Sequence, residues 1–277
     1  MKEKKKKSIR ILILGASGFL GQALYKELCH YYDTYGTYHT GRIYSDNRHY
    51  FHFDMETDDI YDVLEQVQPQ IIISSLRGDF QSQVETHEDL SDYVRLSKCK
   101  LIFFSSANVF DAFSNYPSYE HDKTLSLSKY GRLKIKIENL LMRLPEQRYI
   151  IARLPMVFGS TSPRVKELKA HIEQKAPYEV FPDLVMNVAS IDHITRQIHY
   201  MINRKRKGIF HMGSYDLVHH DEFVKEMVEK HGYGSVTYKN VYTSNFDRYL
   251  AVLPKDNKLP KHLQYSYVDV IDEYSSI

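Results

Sequence analysis

Ile9-Arg10-Ile11-Leu12-Ile13-Leu14, followed by Gly15-Ala16-Ser17-Gly18-Phe19-Leu20-Gly21, decides the fold. An aliphatic run stops at three glycines spaced three apart, and Gln22-Ala23-Leu24-Tyr25-Lys26-Glu27-Leu28 then reads as a helix. Strand, glycine turn and helix in this order bring backbone N–H groups and a helix N-terminus against a pyrophosphate. Glycine suits such a turn because a Cβ would obstruct the bend, the approach of the phosphate or the packing of helix on strand. A tight βα turn without a ligand carries the same signature, so the triplet alone leaves ligand binding open. If a dinucleotide binds, Gly15, Ser17, Gly18, Phe19, Leu20 and Gly21 are its expected contacts. The spacing G-x-x-G-x-x-G differs from the commoner G-x-G-x-x-G.

Outward from this turn the chain alternates. Strands are expected over 34–38, 50–54, 70–76, 101–104 and 149–154. Between them, Ile60, Val63, Leu64 and Val67 recur at helical spacing, as do Leu133, Ile137, Leu140 and Leu141. Two short helices are expected over 83–87 and 89–96. The pattern is α/β, a Rossmann-type doubly wound parallel sheet. Past Gly159 the alternation loosens, with helices over 165–175, 190–202 and 221–230 and a strand over 208–212. The expected organisation is a dinucleotide-binding domain over 1–158, to which 188–205 returns. A smaller mixed α/β C-terminal substrate-binding domain takes 159–187 and 206–277.

Bulk composition narrows the function. The chain has 277 residues, 43% hydrophobic and 26% charged, with a net charge of +2. That balance gives no strong field pointing to nucleic acid or a membrane surface. Lys4–Lys7 reads as a solvated tail, and no apolar run approaches a membrane span. Two cysteines, Cys29 and Cys99, make neither a metal spacing nor a disulfide framework, which fits a cytoplasmic protein. His49-x-x-His52 and His219-His220 lack the spacing and companions of a metal site, so no metal is expected. No Gly-x-Ser-x-Gly elbow supports a hydrolase.

Three positions carry chemistry. The second strand ends at His39 and Arg42 with no acid beside them. A cation there suits a ribose 2′-phosphate, and hence NADP(H) over NAD(H), although a solvated loop arginine is an equal reading of Arg42. Asp54 and Met55 end the third strand, where they would flank the adenine. Tyr130 and Lys134, four apart on a helix, share one face. A tyrosine titrates at about pH 10, and a cation one turn away favours the phenolate. Such a pair moves a proton to or from a carbonyl oxygen. About two Tyr-x-x-x-Lys matches are expected by chance in this composition, and Tyr119 with Lys123 is a second one. Tyr130 is preferred because it opens the helix between the fifth and sixth strands, 24 residues after Ser106 at a strand's carboxyl end.

The assembled motifs resemble the extended short-chain dehydrogenase/reductases, and within them the dTDP-4-dehydrorhamnose reductase branch. That branch includes the regulatory β subunit of methionine adenosyltransferase. The resemblance rests on Gly15–Gly21, Phe104-Ser105-Ser106-Ala107-Asn108-Val109-Phe110-Asp111, Tyr119-Glu120-His121-Asp122, Tyr130-Gly131-Arg132-Leu133-Lys134, Arg153-Leu154-Pro155-Met156-Val157-Phe158-Gly159 and Gly208-Ile209-Phe210-His211, in family order over most of the chain. It implies a catalytic set of Ser106, Tyr130 and Lys134, with Lys134 also holding the nicotinamide ribose and Pro155 and Met156 lining the nicotinamide pocket. It implies Ser75 and Leu76 at the cofactor, and Asn108, Val109 and Phe158 at the substrate, whereas Arg77 lies where the chain departs from the family, and is read either at the cofactor or substrate mouth, where a guanidinium suits a nucleotide diphosphate, or as a loop cap.

The implied activity is NAD(P)-dependent reduction, or epimerase-like chemistry, on a nucleotide-linked keto-sugar or another small carbonyl compound. The alternative is a non-catalytic NADP-binding regulatory subunit, and a homodimer is left open. Departures from the pattern fall at Ser74-Ser75-Leu76-Arg77-Gly78, which replaces an Asn-Ala-Ala, at 83–96, which offers no asparagine, and at Ala107, where the branch has an acid.

Overall fold

The computed structural model describes residues 9–273, so the basic run Lys4–Lys7 lies outside the described residues, as does the side chain of Arg42. The elements begin with β1 (Arg10–Leu14), α1 (Phe19–Leu28), β2 (Asp33–Tyr38), β3 (Tyr50–His52), α2 (Ile60–Val67), β4 (Ile71–Ser74), α3 (Phe80–Leu96) and β5 (Lys100–Ser106). Next come α4 (Lys129–Leu141), β6 (Tyr149–Leu154), β7 (Met156–Phe158), α5 (Pro163–Glu173), β8 (Tyr178–Val180), β9 (Leu184–Met186), β10 (Val188–Ser190) and α6 (Ile191–Asn203). The chain closes with β11 (Gly208–His211), β12 (Val218–His219), α7 (His220–Lys230), β13 (Tyr238–Asn240), β14 (Arg248–Leu250) and α8 (Tyr267–Glu273).

The main sheet has seven strands in the order β11-β6-β5-β4-β1-β2-β3, and the registers from β3 to β5 are parallel. The order reverses direction at β1, the arrangement of a doubly wound sheet. Leu12 lies opposite Tyr35 on one side and Ile72 on the other. A strand with neighbours on both sides and helices on both faces has no solvated face. This is why β1 is a continuous aliphatic run rather than an alternating one, with Ile11 to Leu14 all fully buried. Each such side chain contributes about 1.5–3 kcal/mol by leaving water.

By compactness the chain divides into two units. One comprises the described residues of Met1–Phe104 with Lys136–Ile151 and His199–Gly208. The other comprises Ser105–Ile135, Ala152–Ile198 and the described residues of Ile209–Ile277. This division does not fall at the expected boundary after residue 158. The segment from Ser105, and the strand end from Ala152, belong to the second unit. Of 188–205, only the part from His199 belongs to the first.

In the first unit, α2 shows how local chemistry sets a helix. The Asp59 carboxylate accepts from the Tyr61 N–H at its start, Gln68 takes the left-handed conformation at its end, and Pro69 follows. Its buried face is Ile60, Val63, Leu64 and Val67, as the spacing predicts. α3 differs from expectation, being one 17-residue helix and not two short ones. Its buried face includes Ser82, Gln83, Thr86, His87 and Ser91 beside Val84, Leu90 and Val94. Polar residues on the core side dilute the apolar period that would have revealed a single helix.

The second unit holds short strands that sequence reasoning did not expect. β7 pairs with β10, β8 with β13, and β9 lies between β12 and β14. Strands of two or three residues are too short for an alternating pattern to be recognised. Among the described residues no helix is long and apolar enough to cross a membrane.

Candidate functional site

The glycine turn of the first unit is built from backbone. Gly15 takes φ +75°, and the Gly18 N–H donates to its carbonyl at 3.0 Å. A Cβ on Gly21 would overlap this same backbone, 2.7 Å from the Ala16 Cα. The turn therefore folds back against the first turn of α1. Gly18 takes the N-cap position of α1 and has no side chain to cap the first N–H groups of the helix. Three side chains brace the turn. The Thr37 hydroxyl accepts from the Gly15 N–H at 2.9 Å, and the Ser75 hydroxyl donates to the Leu14 carbonyl at 2.7 Å. Gln22 donates to the Ser17 carbonyl and to the Tyr44 hydroxyl, each at 2.8 Å.

Ser75, expected at the cofactor, thus has its hydroxyl on the strand that leads into the turn. Thr37, Gln22 and Tyr44 carried no motif and were not anticipated. The sequence signal for Thr37 is faint: a hydroxyl on the strand next to β1, one residue after Gly36.

At the end of β2, His39 is exposed and its Nε2 lies 3.3 Å from the Asp54 carboxylate. An acid is therefore present at this strand end after all, supplied from the end of β3. Met55 lies close to Gly78, where an added Cβ would stand 3.1 Å from the Met55 methyl. Leu76 is buried and Arg77 exposed. No asparagine stands on α3. Its buried positions Gln83 and His87 occupy that face, and His87 Nε2 is 2.9 Å from the Ser74 hydroxyl.

In the second unit, Ser106 ends β5 and caps a 3₁₀ turn over Ala107–Phe110. Its hydroxyl accepts from the Asn108 N–H at 3.2 Å and donates to the Asn108 side-chain oxygen at 3.0 Å. Val109 and Phe110 are buried and pack with Ala107 and Val252. Tyr130 stands in the first turn of α4 and is 38% exposed, whereas Lys134 is only 6% exposed. The Lys134 ammonium lies 5.5 Å from the centre of the Tyr130 ring. The structure thus brings the two residues to one face, one reachable from solvent and the other enclosed. Pro155 is buried, Met156 half-buried and Phe158 buried against Phe223.

Asp111 closes the Phe104–Asp111 segment, and its carboxylate gathers the chain ahead of Tyr130. It accepts from the Leu127 N–H at 2.6 Å, the Ser126 hydroxyl at 2.9 Å and the Ser128 hydroxyl at 2.6 Å. Ser128 in turn accepts from the Gly131 N–H at 3.0 Å, an N-cap bond three residues on. Gly131 has no room for a side chain, because a Cβ would overlap the Asn108 carbonyl and the Ser126 side chain, 2.7 Å from its Cβ. Deeper in the same unit, Arg153 is buried, stacks on Phe110 at 4.9 Å and donates to His211 Nε2 at 3.2 Å. Burial, and the Arg153 charge beside it, push the His211 pKa down to about 3.

The first unit thus carries a glycine turn that opens into a helix start, and the second carries a partly exposed tyrosine beside a buried lysine, with the Ser106 hydroxyl at the end of β5. Residues 9–261 match the family model described as the RmlD substrate binding domain. Among curated proteins, the β subunit of methionine adenosyltransferase 2 from Danio rerio is 27% identical over 162 residues, 54% of this chain and 48% of that protein. The Bos taurus protein of the same name is 25% identical over 226 residues, 73% of this chain and 66% of that protein. The matched regions therefore span about half and just under two thirds of these relatives.

Among solved structures, dTDP-4-dehydrorhamnose reductase from Bacillus anthracis, in complex with NADP, superposes with a TM-score of 0.77 at 19% identity, covering 96% of this chain and 98% of that one. dTDP-glucose 4,6-dehydratase from the same organism, in complex with NAD, gives 0.74 at 14% identity, covering 96% and 95%. At such identities the likeness is one of fold.

Proposed function

This chain belongs to the RmlD substrate-binding-domain family, and from that premise we propose that it is an NAD(P)-dependent reductase of a nucleotide-linked keto-sugar. The observation that carries this reading is the grouping of Ser106, Tyr130 and Lys134 in one compact unit, with a buried lysine 5.5 Å from the ring of a partly exposed tyrosine. The glycine turn fits the cofactor: Gly21 packs where a Cβ would not fit, and the start of α1 is uncapped by Gly18.

A bound NADPH or NADH supplies a hydride to the substrate carbonyl carbon. Residues 15–21 hold its phosphates through backbone N–H groups, and Pro155 and Met156 bound its nicotinamide end. Lys134 holds the nicotinamide ribose and favours the phenolate of Tyr130. Tyr130 delivers its proton to the carbonyl oxygen as that oxygen gains charge. Ser106 turns its O–H from Asn108 onto the same oxygen and orients it. Arg77, Asn108, Val109 and Phe158 contact the sugar nucleotide. His39 recognises the ribose 2′-phosphate, together with Arg42, so NADP(H) is preferred. Asp54 beside His39 accepts a free 2′-hydroxyl and lets NAD(H) serve. We assign the cofactor mainly to residues 1–158 with 188–205 and much of the substrate contact to the remaining segments, a division by ligand that differs from the division by compactness. The NADP-bound and NAD-bound solved structures support this assignment of cofactors.

The test is NADPH oxidation by the purified protein with dTDP-4-dehydrorhamnose and a panel of other nucleotide-linked keto-sugars. Turnover with any of them supports the reading, and its absence across the panel counts against it. One observation favours a second reading, a non-catalytic regulatory subunit: the two curated relatives are both β subunits of methionine adenosyltransferase 2. A stable complex with a methionine adenosyltransferase catalytic subunit, without keto-sugar turnover, would establish it instead.

A further inference from the structure

We propose that Asp111 is a positioning residue for the proton transfer, setting Tyr130 against Ser106; this rests on the reductase reading above. Ser106 begins the 3₁₀ turn and Asp111 ends it, with the Asp111 N–H bonded back to the Asn108 carbonyl. One carboxylate oxygen takes the Leu127 N–H, and the other takes the hydroxyls of Ser126 and Ser128. Ser128 caps α4 through Gly131, so Tyr130 lies between the two ends of that cap. The negative charge also stands at the helix N-terminus, where the macrodipole favours it. A second tie runs parallel, from the Leu125 N–H to the Val109 carbonyl at 2.9 Å. The loop between them, with Pro117 and several serines, has few apolar anchors of its own. Asp111 thus joins the turn carrying Ser106 to the turn carrying Tyr130, beside the packing of Gly131 on Asn108 and Ser126.

An amide at this position replaces one oxygen by a donor. That donor faces either the Leu127 N–H or the two serines, so one side of the clamp loses its acceptor. The variants are Asp111→Asn, Ser128→Ala, Ser128→Thr and the double Asp111→Asn/Ser128→Ala, each assayed with NADPH and dTDP-4-dehydrorhamnose. Asp111→Asn and Ser128→Ala are expected to lower kcat about 10- to 100-fold, the effect of a misplaced donor. KM for the sugar and Kd for NADPH should stay within about twofold. Ser128→Thr, which keeps the hydroxyl, should retain kcat, and the double variant should be no worse than the worse single one.

Exchange of the Gly131 amide should quicken in Asp111→Asn and Ser128→Ala. Wild-type kcat in Asp111→Asn, losses that multiply in the double variant, or equal losses in Ser128→Thr and Ser128→Ala would overturn the proposal. If Asp111→Asn does not fold, the two Ser128 variants decide. If the wild-type protein turns over no keto-sugar, the reductase reading fails by itself. Gly131 exchange then judges the clamp, and unchanged protection in Asp111→Asn or Ser128→Ala rejects it.

Discussion

The glycine turn at residues 15–21 and the segment from Ser106 to Lys134 are held in place by opposite means. In the turn, the decisive atoms are backbone and the decisive property is the absence of side chains at Gly15, Gly18 and Gly21. In the second segment the decisive atoms are side chains drawn from residues 106 to 131, gathered by the Asp111 carboxylate and the Ser128 cap. A short contiguous motif encodes the glycines of the first, although its braces Thr37 and Ser75 lie 22 residues from Gly15 and 61 from Leu14. The second needs polar partners up to 17 residues apart in sequence, and each contributes only when the others are present.

Removing chemistry from one region only separates the two most strongly. Tyr130→Phe deletes a proton and an oxygen from the second segment and leaves the glycine turn untouched. Turnover should fall about 10²–10⁴-fold while NADPH affinity stays near wild type, read by steady-state kinetics beside fluorescence titration.

Two glycine substitutions separate the regions next. Gly21→Ala forces a methyl into the backbone of Gly15 and Ala16 and should weaken NADPH binding at least about tenfold, with a loss of roughly 1–3 kcal/mol of stability. Gly131→Ala forces one against the Asn108 carbonyl and Ser126. It should lower kcat with NADPH affinity kept. If both variants lost the same property, the division of labour between the two regions would be wrong.

A smaller effect distinguishes the regions by pH. His211 and His220, both in the second unit, are held neutral by burial, with pKa values near 3 and 4. Their folded pKa values lie below the unfolded value of about 6.5, so the unfolded chain binds more protons as the pH falls below that point. Stability is therefore lost between about pH 6.5 and pH 3, by about 2 kcal/mol from His211 alone between pH 7 and pH 5. Urea midpoints at the two pH values should show this loss. His211→Gln should reduce the difference, even if it lowers stability at pH 7.

The smallest expected effect belongs to the glycine turn. Ser75→Ala removes one hydrogen bond to the Leu14 carbonyl and should cost about 1 kcal/mol of stability, read by denaturation.

The contrast also explains what the sequence disclosed. β1, the glycine turn, α2 and the parallel order of β1 to β5 follow from aliphatic runs, helical spacing and caps, all local signals. The sequence of α3 reads as two helices because its core face carries Gln83, Thr86, His87 and Ser91, which look solvent-facing, although His87 Nε2 lies 2.9 Å from the Ser74 hydroxyl. The strands β7 to β10 and β12 to β14 have two to three residues each and draw their partners from far along the chain. Within the candidate site, the placement of Tyr130 and Lys134 on one face was readable from their spacing. Thr37, Gln22 and the clamp role of Asp111 were not, because a brace shows itself only once its target is in place. The acid near the end of β2 was likewise hidden, since Asp54 reaches His39 from a different strand.

Central to the account is hydride delivery to a carbonyl whose oxygen is protonated by Tyr130. The direct measurement follows deuterium from 4-deuterated NADPH into dTDP-4-dehydrorhamnose by NMR, with the wild-type protein and Tyr130→Phe compared at equal cofactor occupancy. Deuterium is expected on the former carbonyl carbon with the wild-type protein and almost none with the variant. No label from the wild-type protein, or equal rates of labelling in the two, would contradict it.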